Sequence, residues 1–138
     1  MIVYLDSSVI LSHLLKQKNA LNPWGEWKEV CVSQINQLEA FRTFYRLRME
    51  KVIDDEKLTE LIQKYRKVTE QAQIIQLDAS VFENAERPFA TPIKALDAIH
   101  LASALLWQED QDKELVFVTH DIQLGRAALA SGLKAKGF

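Results

Sequence analysis

The chain has 138 residues, 48% of them hydrophobic and 26% charged, with a formal net charge of −2. That length suits one ordinary domain with room for a real core, and the composition is that of a globular protein rather than a disordered or fibrous one. The slight negative charge excludes a protein that coats nucleic acid by bulk electrostatics, but not one that grips a short stretch locally.

Ile2-Val3-Tyr4-Leu5 is short, apolar and β-prone and ends at Asp6, so it predicts a fully buried strand. Ser7 or Ser8 is placed to cap a helix from Val9 through Leu14-Leu15. Residues 18–29, with Asn22-Pro23 and Trp24-Gly25, are ambiguous between loop and short helix. Val30-Cys31-Val32 predicts a second strand, and Cys31, the only cysteine, excludes an internal disulfide and is expected as a buried small hydrophobe. Ser33 is the expected cap of a helix in which Ile35, Leu38, Phe41, Tyr45 and Met49 form an apolar stripe. Asp54 caps a further helix carrying Leu58, Leu61, Ile62, Tyr65 and Val68 on one face.

Ile74-Ile75-Gln76-Leu77 predicts a third strand, with Asp78 capping a short helix that holds Val81, Phe82 and Ala85. Pro88 and Pro92 bracket a loop. The helix from Ala95 to Trp107 is apolar almost all round and so is expected to be buried. Leu115-Val116-Phe117-Val118 is the fourth strand, Ile122 to Ser131 a helix stopped by Gly132 at a left-handed position, and Lys134-Ala135-Lys136 an additional short edge strand. Continuously apolar strands alternating with helices predict an α/β fold: a parallel sheet of four to five strands with helices on both faces. No stretch approaches the ~20 apolar residues of a membrane span, and no basic segment precedes the first apolar run; a cytoplasmic protein without a signal peptide is expected.

In an open parallel sheet, ligands bind at the carboxyl ends of the strands. Asp6 directly follows the first strand and Asp121 closely follows the fourth, although Asp at either place is also an ordinary helix cap. Asp97 is set among Ala95, Leu96, Ala98, Ile99 and Leu101, where an unpaired carboxylate is costly; the bland alternative is a partly wet first-turn acid favoured by the helix dipole. Glu39, beside Leu38, would on its own be a solvated glutamate. If the four converge, their repulsion calls for a cation, and oxygen-only ligands suit Mg²⁺ or Mn²⁺.

Asp6-Ser7-Ser8, Glu39 within Ser33 to Ala40, Leu96-Asp97-Ala98-Ile99-His100-Leu101-Ala102, and Thr119-His120-Asp121 together resemble the PIN-domain signature. The similarity is greatest to VapC-type toxins of toxin–antitoxin pairs, and it spans nearly the whole chain. The resemblance implies one PIN-like domain over residues 1–138, a three-layer sandwich. It also implies an endoribonuclease in which Asp6, Glu39, Asp97 and Asp121 ligate Mg²⁺ or Mn²⁺ and water attacks a phosphodiester to leave a 5′-phosphate. Ser8 and Thr119 match supporting hydroxyl positions. The family often carries another acid shortly after the fourth motif, where this chain has Ile122-Gln123-Leu124. His100 is expected to make a buried structural hydrogen bond, and His120 to be a polar loop residue.

Arg42, Arg46, Lys94 and Arg126 are candidates for contacts with RNA phosphates, each also readable as a solvated surface charge. The resemblance further implies a homodimer and a cognate antitoxin; the helix with Leu58, Leu61, Tyr65 and Val68 and the Trp24/Trp27 region are candidate surfaces, equally readable as core, the reading favoured for the leucines. Two other readings stand beside this one. A PIN-fold binding module without activity would keep the fold and lose the chemistry. A phosphoacceptor would use Asp78, but Asp6 lacks a paired acid, and no P-loop or GxGxxG is present.

Overall fold

In the computed structural model, which describes Met1–Phe138, five strands form one wholly parallel sheet in the order β3-β2-β1-β4-β5. The strands are β1 (Ile2–Leu5), β2 (Glu29–Ser33), β3 (Gln73–Ile75), β4 (Val116–Val118) and β5 (Lys134–Lys136). The helices are α1 (Ser7–Leu14), α2 (Ile35–Met49), α3 (Asp55–Thr69), α4 (Ala79–Ala85), α5 (Ala95–Gln111) and α6 (Ile122–Ala130). The α/β sandwich is the expected one.

Because side chains alternate across a strand, the sheet feeds two separate cores. Val3, Leu5, Val32 and Val118 point to one face and pack with Val9, Ile10, Phe44, Leu61 and Tyr65 of α1, α2 and α3. Tyr4, Cys31 and Phe117 point to the other and pack with Leu101, Ala104, Trp107, Leu124 and Ala127 of α5 and α6. Cys31 is fully buried and its thiol is pushed up to about 12, by burial and then by Glu29, so it is no nucleophile. β1 lies between β2 and β4, which makes its carboxyl end the point where strand order reverses. No helix is long and apolar enough to cross a membrane.

Several local expectations are revised. Asp6 rather than Ser7 or Ser8 occupies the N-cap of α1, and Gln34 rather than Ser33 that of α2, although Ser33 Oγ accepts from the Ile35 amide. β3 is one residue earlier at its start and stops at Ile75, since beyond it the Leu77 amide turns to the Gln34 side chain. No regular element forms between Leu14 and Glu29; the segment is held by His13 stacked on Trp24, with Trp24 edge-to-face against Trp27.

The α2 stripe is also different. Leu38, Tyr45 and Met49 are exposed, the last by 82%, while Asn36, Ala40 and Phe44 make the buried line. A polar residue wins a core place here because Asn36 Nδ2 donates to the Leu5 carbonyl at the end of β1 and Asn36 Oδ1 accepts from Tyr65 of α3. Asp54 and Asp78 do cap their helices, through the Lys57 and Val81 amides. Gly132 takes its left-handed φ of +89° just after α6.

Candidate functional site

Asp6, Glu39, Asp97 and Asp121 come from different elements. Asp6 ends β1, Asp121 follows β4 by a short turn, Glu39 is in the second turn of α2, which begins just past β2, and Asp97 is in the first turn of α5. All four therefore belong to the carboxyl edge of the sheet, around the reversal point between β1 and β4. Asp97 and Asp121 line one cleft of about 440 Å³ with Pro92, Ile93, Lys94 and Gln123.

The carboxylates are held differently. Asp6 is buried and does not cap α1 with its side chain; Oδ2 accepts from Ser8 Oγ at 2.6 Å and from Thr119 Oγ1 at 2.9 Å. Both donors are themselves oriented. Ser8 Oγ accepts from the His120 amide, and Thr119 Oγ1 from the Asp121 amide. Glu39, 23% exposed at its side chain, gives Oε1 to Ser7 Oγ at 2.9 Å and to His100 Nε2 at 2.5 Å. Asp121 is exposed and caps α6, its Oδ1 accepting from the Leu124 amide. The capping role foreseen as the bland alternative is thus realised at Asp121 and not at Asp6.

Asp97 is half-buried and accepts no side-chain hydrogen bond, and its carboxyl is pushed up to about 6 by burial first, then by Asp121 and Asp6. No lysine or arginine forms a salt bridge with any of the four. The one basic group inside is His100, completely buried, with Nε2 toward Glu39 and Asp6 and Nδ1 2.6 Å from the Tyr4 hydroxyl. Burial lowers the basicity of its imidazole, but the Glu39 hydrogen bond and the charges of Asp6, Glu39 and Asp97 outweigh that and raise it. Tyr4 is raised well above its ordinary range by burial, then by Asp6 and Glu39.

Oxygen donors without thiolates suit a hard divalent ion, Mg²⁺ or Mn²⁺. No three Asp, Glu, His or Cys side chains already form a cage for an ion.

Arg42, Arg46, Lys94 and Arg126 are all exposed and none is engaged in a salt bridge. Lys94 lines the cleft of Asp97 and Asp121; Arg42 follows Glu39 by one helical turn. Asp78 has no part in this grouping, since it lies beyond the edge strand β3 and spends its side chain on a helix cap. Sequence reasoning gave Ser7 little weight and missed the engagement of His120, whose ring bridges Ser12 Oγ and the Gly137 carbonyl and ties the C-terminal segment to the Thr119–Asp121 turn. A lone histidine in a loop gives no signal for partners 108 and 17 residues away.

A family model described as PIN domain matches residues 3–129. No curated protein matches the chain in sequence. Among solved structures, FitAcB from Neisseria gonorrhoeae superposes with a TM-score of 0.71 at 19% identity, covering 98% of this chain and 96% of that one. VapBC2 from Rickettsia felis, bound to a DNA fragment from its promoter, gives 0.67 at 14% identity over 99% and 98%. VapBC-1 from nontypeable Haemophilus influenzae gives 0.64 at 16% identity over 99% and 97%. At such identities these likenesses speak for the fold. The family match, in contrast, runs from β1 through nearly all of α6 and takes in every one of the clustered acids: the chain belongs to the PIN-domain family, whose members are generally nucleases.

Proposed function

We propose that the chain is a Mg²⁺- or Mn²⁺-dependent endoribonuclease, the toxin of a toxin–antitoxin pair, with Asp6, Glu39, Asp97 and Asp121 as its metal-binding residues. The observation that carries this reading is how the acids are left by the protein. Glu39 and Asp121 each have one oxygen committed to protein donors, Asp6 has Oδ2 held closely and Oδ1 only at 3.5 Å by Ser7, and Asp97 has neither; no lysine or arginine neutralises them, and His100 is the one basic group beside four acids. An arrangement of this kind is stable against its own repulsion when a cation joins it.

A bound divalent ion would supply an activated water and neutralise charge on the phosphoryl oxygens. The protein's own contribution is positional. Ser8 and Thr119 hold Asp6 from one side, Ser7 and His100 hold Glu39, and the α6 amide end holds Asp121. Lys94, which lines the cleft, would bind a phosphate flanking the cut bond and help set the strand in place, with the exposed Arg42, Arg46 and Arg126 as further candidates.

The partner is inferred from what the solved neighbours are called. VapBC-1, and a further neighbour named a toxin–antitoxin complex from Klebsiella pneumoniae with a TM-score of 0.62 at 17% identity, suggest a cognate antitoxin here. The exposed Leu38, Tyr45 and Met49 of α2 would be one apolar surface for it or for a second copy in a homodimer. Leu61 and Tyr65 of α3 are core and are not available.

The test is cleavage of RNA by purified protein. We expect activity with Mg²⁺ or Mn²⁺, none after chelation, and a loss of more than about 100-fold in folded Asp97→Asn protein. Cleavage that survives in Asp97→Asn would refute the mechanism. Wild-type protein that neither cuts nor binds Mn²⁺ would instead make the chain an inactive binding module.

A further inference from the structure

Resting on the metal site just proposed, we infer that Tyr4 and His100 form a buried positioning pair that aims Glu39 at the ion. The chain of contacts starts on the central strand. Tyr4 is fully buried on β1, stacked on Phe117 of β4 with ring centroids 5.0 Å apart and 7° between planes, so its hydroxyl has little freedom. That hydroxyl stands 2.6 Å from Nδ1 of His100. The other ring nitrogen, Nε2, stands 2.5 Å from Glu39 Oε1.

The hydrogen positions follow from the partners. Nε2 faces carboxylate oxygens, which accept only, so Nε2 carries hydrogen and donates. Nδ1 faces a hydroxyl, which serves as donor or acceptor, so the contact is satisfied whichever charge the ring bears. The result at Glu39 is asymmetric. Oε1 takes hydrogen bonds from His100 and from Ser7, whereas no protein donor reaches Oε2. Fixing one carboxylate oxygen leaves the other to point at a ligand in a single orientation. His100 also follows Asp97 by three residues on α5, so one helical turn carries an acid and the group that orients a second acid on α2.

The experiment compares Mn²⁺ affinity by calorimetry in wild-type, Tyr4→Phe, His100→Leu and His100→Gln proteins, with thermal melts to establish folding. Loss of such outer partners costs 10–100-fold in metal affinity in general. Expected here is weakening of about 10-fold for Tyr4→Phe and about 100-fold for His100→Leu. The amide nitrogen of glutamine takes roughly the place of Nε2, so His100→Gln should recover most of the affinity. Adding Tyr4→Phe to His100→Gln should then do nothing more, because no Nδ1 remains to be held.

Folded Tyr4→Phe protein with wild-type affinity overturns the inference, as does His100→Gln no better than His100→Leu. If the leucine variant does not fold, Tyr4→Phe, alone and on the glutamine background, decides. The two proposals fail separately. A wild type that binds no Mn²⁺ removes the metal site itself, whereas a binding wild type with indifferent variants removes only the pair.

Discussion

Asp97 is a half-buried carboxylate without a donor, and such a group is least stable when ionised. Its folded value, about 6, lies above the ordinary 3.8, so the folded protein binds the proton more tightly than the unfolded chain. The stability contributed by Asp97 without metal is therefore full below about pH 4 and is lost as the pH rises through about 6, where the carboxyl is half ionised in the fold. Discounted for its partial exposure, the loss is about 1–2 kcal/mol. Asp97→Asn should abolish that slope and melt above wild type at pH 8 in chelator, with the two alike near pH 4. A wild-type melting curve flat from pH 4 to 7 would contradict this account. The residue that costs activity when replaced should thus gain stability, as expected of a group kept for a ligand rather than for the fold.

The basic candidates act at the same scale but on a different quantity. Arg42, Arg46, Lys94 and Arg126 touch no acid of the protein, so removing one exposes no orphaned partner. Lys94→Ala should leave the melting point unchanged and raise KM for RNA several-fold, with a shallower dependence on salt, since one phosphate contact is lost. Equal KM and salt slope would return Lys94 to the status of a solvated charge.

Among the elements, α2 and α3 show how sequence periodicity and tertiary need part company. The stripe of Leu38, Tyr45 and Met49 has helical spacing, yet the buried line is Asn36, Ala40 and Phe44. Asn36 is the reason: one amide joins the end of β1 to α3, and its burial turns the helix so that Glu39 comes to the rim of the site. Tyr65→Phe would leave Asn36 Oδ1 unpaired in the core and should cost about 1–3 kcal/mol in chemical denaturation. An undiminished midpoint would argue that Asn36 does not hold the helix. The α3 cap was legible from sequence alone, because capping is a local matter; Asp54→Ala should cost about 1 kcal/mol through the lost Lys57 amide bond.

For the molecule as a whole, the parallel order with β1 at its centre is what turns scattered acids into neighbours. Residues 6, 39, 97 and 121 are far apart in the chain and share only their position beyond strand ends or at helix starts. If they bind Mg²⁺ or Mn²⁺, ligand at 100 times its Kd adds about 2.7 kcal/mol to stability, and the melting point should rise by several degrees. That rise should be larger at pH 8 than at pH 5, where Asp97 is still largely protonated in the fold.

Alternation of apolar strands with amphipathic helices, the caps at Asp54 and Asp78, the left-handed Gly132 and the burial of Cys31 were all determined by sequence, because each depends on residues within a few positions of one another. So was the suspicion attached to Asp97, whose apolar neighbours are adjacent in the chain. Tertiary structure alone decided the rest, first that Asp6 spends its carboxylate on Thr119 as well as Ser8 instead of on a helix cap. It also decided that His100 reaches both Tyr4 and Glu39, and that α2 buries an asparagine in preference to a leucine. In each case the deciding partner is a side chain or carbonyl brought in by another strand or helix, and no local pattern encodes which hydrogen bond a polar group will make once packing has chosen its neighbours.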